Sequence, residues 1–186
     1  MNDKKRRLFL NYENIIKGLS DENIKVIGIP DVILKKTFPR FTDEERNIMK
    51  GHTIIGAQLF EPPESTLDKM SQEIALHHHD RWDGGESGYP GNININDFSV
   101  KTGVVPAFVP LAGKDIPLSA RIVAVADVFD ALSHKRCYKE AWSIDDAFME
   151  IQNNSGTQFD PEVVLAFMQI RERICSIQLA IPDELE

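Results

Sequence analysis

The sequence predicts an all-α protein, a helical bundle with a long glycine- and proline-rich loop between two of its core helices. Three observations lead there. Apolar residues recur at helical spacing along most of the chain, capping signals stand where those stretches begin, and no run alternates apolar and polar residues as a half-buried strand does. A chain of 186 residues, 42% hydrophobic, can bury one sizeable core, so residues 1–186 are expected to form a single domain.

Tyr12, Ile15, Ile16 and Leu19 share one face of a first helix, which the polar stretch Ser20-Asp21-Glu22-Asn23 ends or interrupts. After Gly28-Ile29-Pro30-Asp31, Thr42 and Glu45 form a capping box that opens a helix to about Phe60, where Pro62 and Pro63 stop it. A further helix is expected from about Ser65 to His79, with Leu67, Met70 and Ile74 along one face. The loop from Asp83 to Pro117 follows, and a loop that long is usually functional or mobile. Ser119 to about Leu132 is apolar on nearly every side and reads as a central, buried helix. Ser143 with Asp146 caps the next, and Asp160-Pro161 opens the last, with proline at the first helical position.

The formal charge of −8 and the pI near 5.2 argue against a nucleic-acid partner held on a broad basic face, while a small anionic ligand needs only a few local cations. Lys4, Lys5, Arg6 and Arg7 precede Leu8-Phe9-Leu10, but Asn11, Glu13 and Asn14 cut that apolar run short of a signal peptide. No stretch approaches the roughly 18 apolar residues that span a bilayer. Cys137 and Cys175 are isolated and fit neither a metal knuckle nor a disulfide framework, so a cytoplasmic setting is expected.

Two groups of residues could carry chemistry. His52 shares a helix face with Ile48, Ile55 and Leu59, and Ile74 leads to His77, His78, His79 and Asp80; Asp127 and Asp130 sit within the apolar run 124–132. A buried carboxylate there must be paired, protonated or metal-bound. Imidazole nitrogens with carboxylate oxygens suit zinc, iron or manganese, which polarise phosphoryl oxygens. From these residues alone a metal site and a hydrogen-bonded polar core both remain open. Tyr89 offers a hydroxyl in a glycine-rich loop, and Lys135, Arg136 and Lys139 around Tyr138 read either as a phosphate clamp or as a solvated cationic patch.

Taken together, His78-His79-Asp80-Arg81-Trp82-Asp83-Gly84, Gly88-Tyr89-Pro90, the segments 116–122 and 126–132, Arg136-Cys137-Tyr138-Lys139 and Gly156-Thr157-Gln158-Phe159-Asp160-Pro161 resemble the HD-GYP family over about residues 22 to 170. The resemblance implies an HD-type bundle that holds divalent transition metals, iron or manganese ahead of zinc or nickel, and hydrolyses cyclic di-GMP. By that likeness His52, His78, His79 and Asp127 match metal ligands and Asp130 a supporting catalytic carboxylate. Tyr89, Arg136 and Lys139 match positions near the substrate, Tyr89 with a catalytic role, while His77 matches none.

Departures from the family pattern are equally specific. Ungapped alignment puts Glu22 and Asn23 on the family's His-Asp doublet and Val26 on its lysine, with Lys25 turned about 100° away on a helix. Glu22 is thus a substitute ligand, and neutral Asn23 replaces an aspartate that would bridge metals. The family places a glutamate ligand a few turns ahead of its doublet on an earlier helix, yet only 21 residues precede Glu22, so one or two core helices are expected to be missing: either the chain is one part of a longer original, or a second copy or a partner protein covers their place. The loop from Gly84 to Gly88 is two residues longer than usual, and 92–114 reads as an insertion. Three functional expectations follow: a reduced-site cyclic di-GMP phosphodiesterase, a non-catalytic signalling or interaction module that keeps the fold, and a purely structural bundle.

Overall fold

The computed structural model describes residues 42–98, 107–134 and 141–180. Six α-helices lie among them: α1 (Asp43–Gln58), α2 (Thr66–His77), α3 (Leu118–Ser133), α4 (Ile144–Asn153), α5 (Pro161–Gln169) and α6 (Arg171–Ala180). Short 3₁₀ turns at Ile95–Asp97 and Gly113–Asp115 punctuate the long loop. Only isolated bridges, Asn92 with Val109 and Ser155 with Phe159, represent β structure among the described residues, as the all-α reading requires. The first expected helix, around Tyr12 to Leu19, lies outside the described residues.

The described residues fall into two compact units. In the first, which includes α1, most of α2 and residues 92–98, Ile54, Ile55, Ala57, Leu76, Ile95 and Phe98 form the core. The stretch expected to be an insertion therefore supplies core residues. Gln58 anchors it, its Nε2 donating to the carbonyls of Ile95 at 2.6 Å and Phe98 at 3.2 Å. Glycine inside a helix ordinarily costs stability. Gly51 is nevertheless required in α1, because a Cβ there would stand 2.7 Å from the Phe98 ring. The expected apolar face of α2 is only partly used: Ala75 and Leu76 are buried, but Leu67 is 61% and Met70 42% exposed.

In the second unit, α3 to α6 and residues 77–91 and 110–117 surround a core of Ala124, Val125, Phe129, Ala147, Phe148, Ile151, Phe159 and Val164. Phe129, Phe148 and Phe167 pack as a trio with ring centroids 4.7 to 5.2 Å apart, a spacing at which aromatic edges and faces attract. α3 is central but not buried all round, since Leu118 and Ile122 are exposed. Both expected caps form: Ser143 Oγ accepts from the Asp146 N–H at 3.1 Å, and Asp160 Oδ1 from the Glu162 N–H at 2.8 Å. α5 is not the final helix. The chain breaks at Ile170, whose N–H bonds Phe167 O, and resumes as α6.

Asp160 also accepts from Arg121 Nη1, and the Arg121 Nε donates to Ile116 O at 2.9 Å. Asp160 is 1% and Arg121 12% exposed at the side chain, so this ion pair is buried. The Arg121 guanidinium also stands 5.7 Å from the Trp82 ring centroid, within cation–π range.

Candidate metal centre

His52 lies on the partly buried face of α1, its Nδ1 2.7 Å from Met49 O. A carbonyl only accepts, so Nδ1 donates, and in the neutral ring Nε2 then carries the lone pair, the tautomer in which second-sphere carbonyls hold ligating imidazoles. His78 and His79 follow directly on α2, their rings 4.2 Å apart. In the second unit His78 and His79 each offer a ring nitrogen of the kind that suits a metal, and in the first unit His52 offers another.

Tyr89 stands beside His79 despite the lengthened loop. Its ring lies 4.9 Å from that of His79 at 31°, and its backbone N–H donates to His79 O at 3.2 Å. The extra residues are absorbed by tight turns: Gly84 N–H to Arg81 O at 3.0 Å and Gly88 N–H to Gly85 O at 2.9 Å. Gly88 admits no side chain, since its Cβ would stand 2.8 Å from the backbone nitrogen of Arg81. The loop is tied down by Trp82 and Asp83, whose N–H groups donate to Gln158 O at 3.1 Å and Thr157 O at 2.9 Å.

His77 bonds a buried carboxylate. Its Nδ1 lies 2.7 Å from Oδ2 of Asp80, whose side chain is 1% exposed, and the other oxygen of Asp80 accepts the Gly91 N–H at 2.9 Å. The sequence pattern gives Asp80 no role of its own and does not single out His134. The Nδ1 of His134 sits 3.1 Å from Asp130 Oδ1, at the C-terminal end of α3, where a cation is favoured. Its i,i+4 spacing from Asp130 was the available signal.

The central aspartates differ from expectation in burial. Asp127 is half-buried and Asp130 is 47% exposed at the side chain, so neither is sealed in the apolar core that Ala124, Val125 and Phe129 enter. Glu22, Asn23, Arg136 and Lys139 lie outside the described residues.

One carboxylate of the loop has a displaced titration. Arg81 holds Asp83 through a two-pronged contact, Nε to Oδ1 at 3.0 Å and Nη2 to Oδ2 at 2.9 Å, which lowers the Asp83 pKa below 3.8 and raises that of Arg81. A lowered folded pKa means that this contact contributes stability above the unfolded value and loses it as pH falls through the folded one. With Asp83 34% exposed, the contribution is small and screened. Carboxyl-carbon NMR should place the Asp83 midpoint below 3.8, and Arg81→Ala should return it to the ordinary range.

A family model described as HD domain matches residues 26–132, more than half of the chain, and a second HD domain model matches 108–163. The chain belongs to the HD domain family. It is 40% identical over 162 residues to the cyclic di-GMP phosphodiesterase of Thermotoga maritima, covering 87% of this chain and 38% of that protein. With the cyclic di-GMP phosphodiesterase response regulator RpfG of Xanthomonas campestris pv. campestris it shares 39% over 173 residues, 85% of this chain and 40% of the relative. The 3'3'-cGAMP-specific phosphodiesterase 2 of Vibrio cholerae is 33% identical over 171 residues, 91% of this chain and 29% of its own length. The HD domain thus spans some two fifths or less of these curated relatives, and the HD-GYP resemblance in the motifs agrees with them. No helix among the described residues is long and apolar enough to cross a membrane.

Proposed function

We propose that this HD domain is a metal-dependent phosphohydrolase module that recognises cyclic di-GMP or a related cyclic dinucleotide, with turnover weakened by the altered doublet at Glu22 and Asn23. The observation that carries the reading is the adjacent pair His78 and His79, rings 4.2 Å apart, with the Tyr89 ring 4.9 Å from that of His79. Imidazole donors of this kind, with His52 joining them on the family likeness, suit one divalent transition ion, iron or manganese ahead of zinc or nickel.

When bound, such an ion supplies Lewis-acid polarisation of a phosphoryl oxygen and eases deprotonation of water near neutral pH. The chain's own groups do the rest. Asp127 and Glu22 complete the ligand set, and Asp130, steadied by His134, is the supporting carboxylate that takes up a proton. Tyr89, stacked on His79, presents its hydroxyl to the phosphodiester, and Arg136 and Lys139 neutralise its charge. Relatives named for cyclic di-GMP and for 3'3'-cGAMP support the substrate class rather than one member of it. The alternative of a non-catalytic binding module draws on the neutral amide of Asn23 where an aspartate would hold cations.

Metal analysis of protein purified without chelator or affinity tag, with cyclic di-GMP hydrolysis on the same samples, separates the readings. The expected result is about one ion per chain with slow turnover, both lost in a His78→Ala, His79→Ala variant. Metal and nucleotide binding without turnover would establish the binding module, and a wild-type chain that takes up no metal would end the catalytic reading.

A further inference from the structure

The buried carboxylate of Asp80 matches no ligand position of the resemblance, yet both of its oxygens are engaged. One accepts from His77 at the end of α2, and the other from the backbone of Gly91. A carboxylate 1% exposed is retained only with such partners, and hydrogen bonds to a charged acceptor are the strong kind. The two contacts lie at opposite ends of the segment 77–91. Between them stand His78 and His79, with Tyr89 stacked on His79. Residues 81–88 have their own anchors in the Arg81–Asp83 contact and the bonds to Gln158 and Thr157. The far half of the loop, which carries Tyr89, meets Asp80 through Gly91.

We propose that His77 and Asp80 are a positioning pair for the candidate metal centre: His77 orients the Asp80 carboxylate, which holds the Gly91 end of the loop so that Tyr89 stays on His79 and the His78–His79 pair keeps its ligating orientation. The inference rests on the metal reading above. Loss of an outer-sphere partner typically weakens metal binding by about 10–100-fold, and that is the effect expected.

The test compares wild type with Asp80→Leu, His77→Leu and His77→Asn, the last placing an amide N–H close to where the imidazole Nδ1–H stands. Two readouts are needed: Co²⁺ titration followed by its visible absorption, and NMR cross-peaks between the His79 and Tyr89 rings in metal-free protein. Both leucine variants should weaken Co²⁺ binding by about 10–100-fold and lose the ring cross-peaks, and His77→Asn should recover most of both. Wild-type Co²⁺ affinity with intact cross-peaks in His77→Leu overturns the pairing, as does failure of His77→Asn to rescue a folded protein. If Asp80→Leu does not fold, His77→Leu decides alone, because it leaves Asp80 its bond to Gly91. A wild-type chain that binds no Co²⁺ defeats the metal reading and this inference with it, whereas binding unchanged across the variants defeats this inference only.

Discussion

Replacing Arg121 with alanine should destabilise the domain by about 3–5 kcal/mol, the scale seen when one partner of a buried ion pair is removed. Most of that cost is the stranded Asp160 carboxylate, 1% exposed and fixed in place because it also caps α5 through the Glu162 N–H. The Ile116 carbonyl loses its Nε donor and Trp82 its cation. For a domain of this size the shift in Tm is on the order of 10 °C. Asp160→Asn keeps an acceptor for the cap while removing the charge, so in an Arg121→Leu background it should recover part of the loss, a coupling that a double-mutant cycle reads directly. Urea unfolding that finds less than about 1 kcal/mol for Arg121→Ala would show the pair to be energetically idle.

Arg121 and Asp160 also mark where the sequence stopped being legible. Their contact joins residues 39 apart, and no periodicity encodes which arginine meets which carboxylate. Local chemistry was readable: Ser143 and Asp160 cap their helices as their side chains dictate, and helical spacing placed α1, α2 and α3 to within a few residues. His78 and His79 were readable as candidate ligands because they open a motif that continues to Gly84, whereas His52 was marked only by its place on an apolar helix face. The core role of Ile95 and Phe98 was not, since apolar residues in a glycine- and proline-rich stretch carry no period, and Gln58 holds them from 37 and 40 positions away. Leu67 and Met70 show the converse: a regular apolar stripe states that a face exists, not that a described neighbour covers it. The break at Ile170 has no glycine or proline to announce it. The bonding of Asp80 was not readable, because its partners, one in a helix and one in a loop, are a matter of tertiary geometry.

On the proposed reading, rebuilding the doublet should have the largest functional effect. The Glu22→His, Asn23→Asp variant exchanges a neutral amide, with one acceptor oxygen and two repelling N–H groups, for a carboxylate whose two oxygens can each face a cation. The metal content should rise from about one toward two ions per chain, the arrangement in which paired ions clamp both oxygens of an in-line displacement. A second Lewis acid contributing about 3 kcal/mol corresponds to roughly 100-fold faster hydrolysis of cyclic di-GMP. The same double substitution in the His78→Ala, His79→Ala background should gain neither metal nor rate, because two of the proposed imidazole ligands are gone. Should the rebuilt chain hold its original metal content and hydrolyse no faster, the doublet is not what limits this domain, and nucleotide recognition without turnover becomes the reading that accounts for Tyr89 standing on His79.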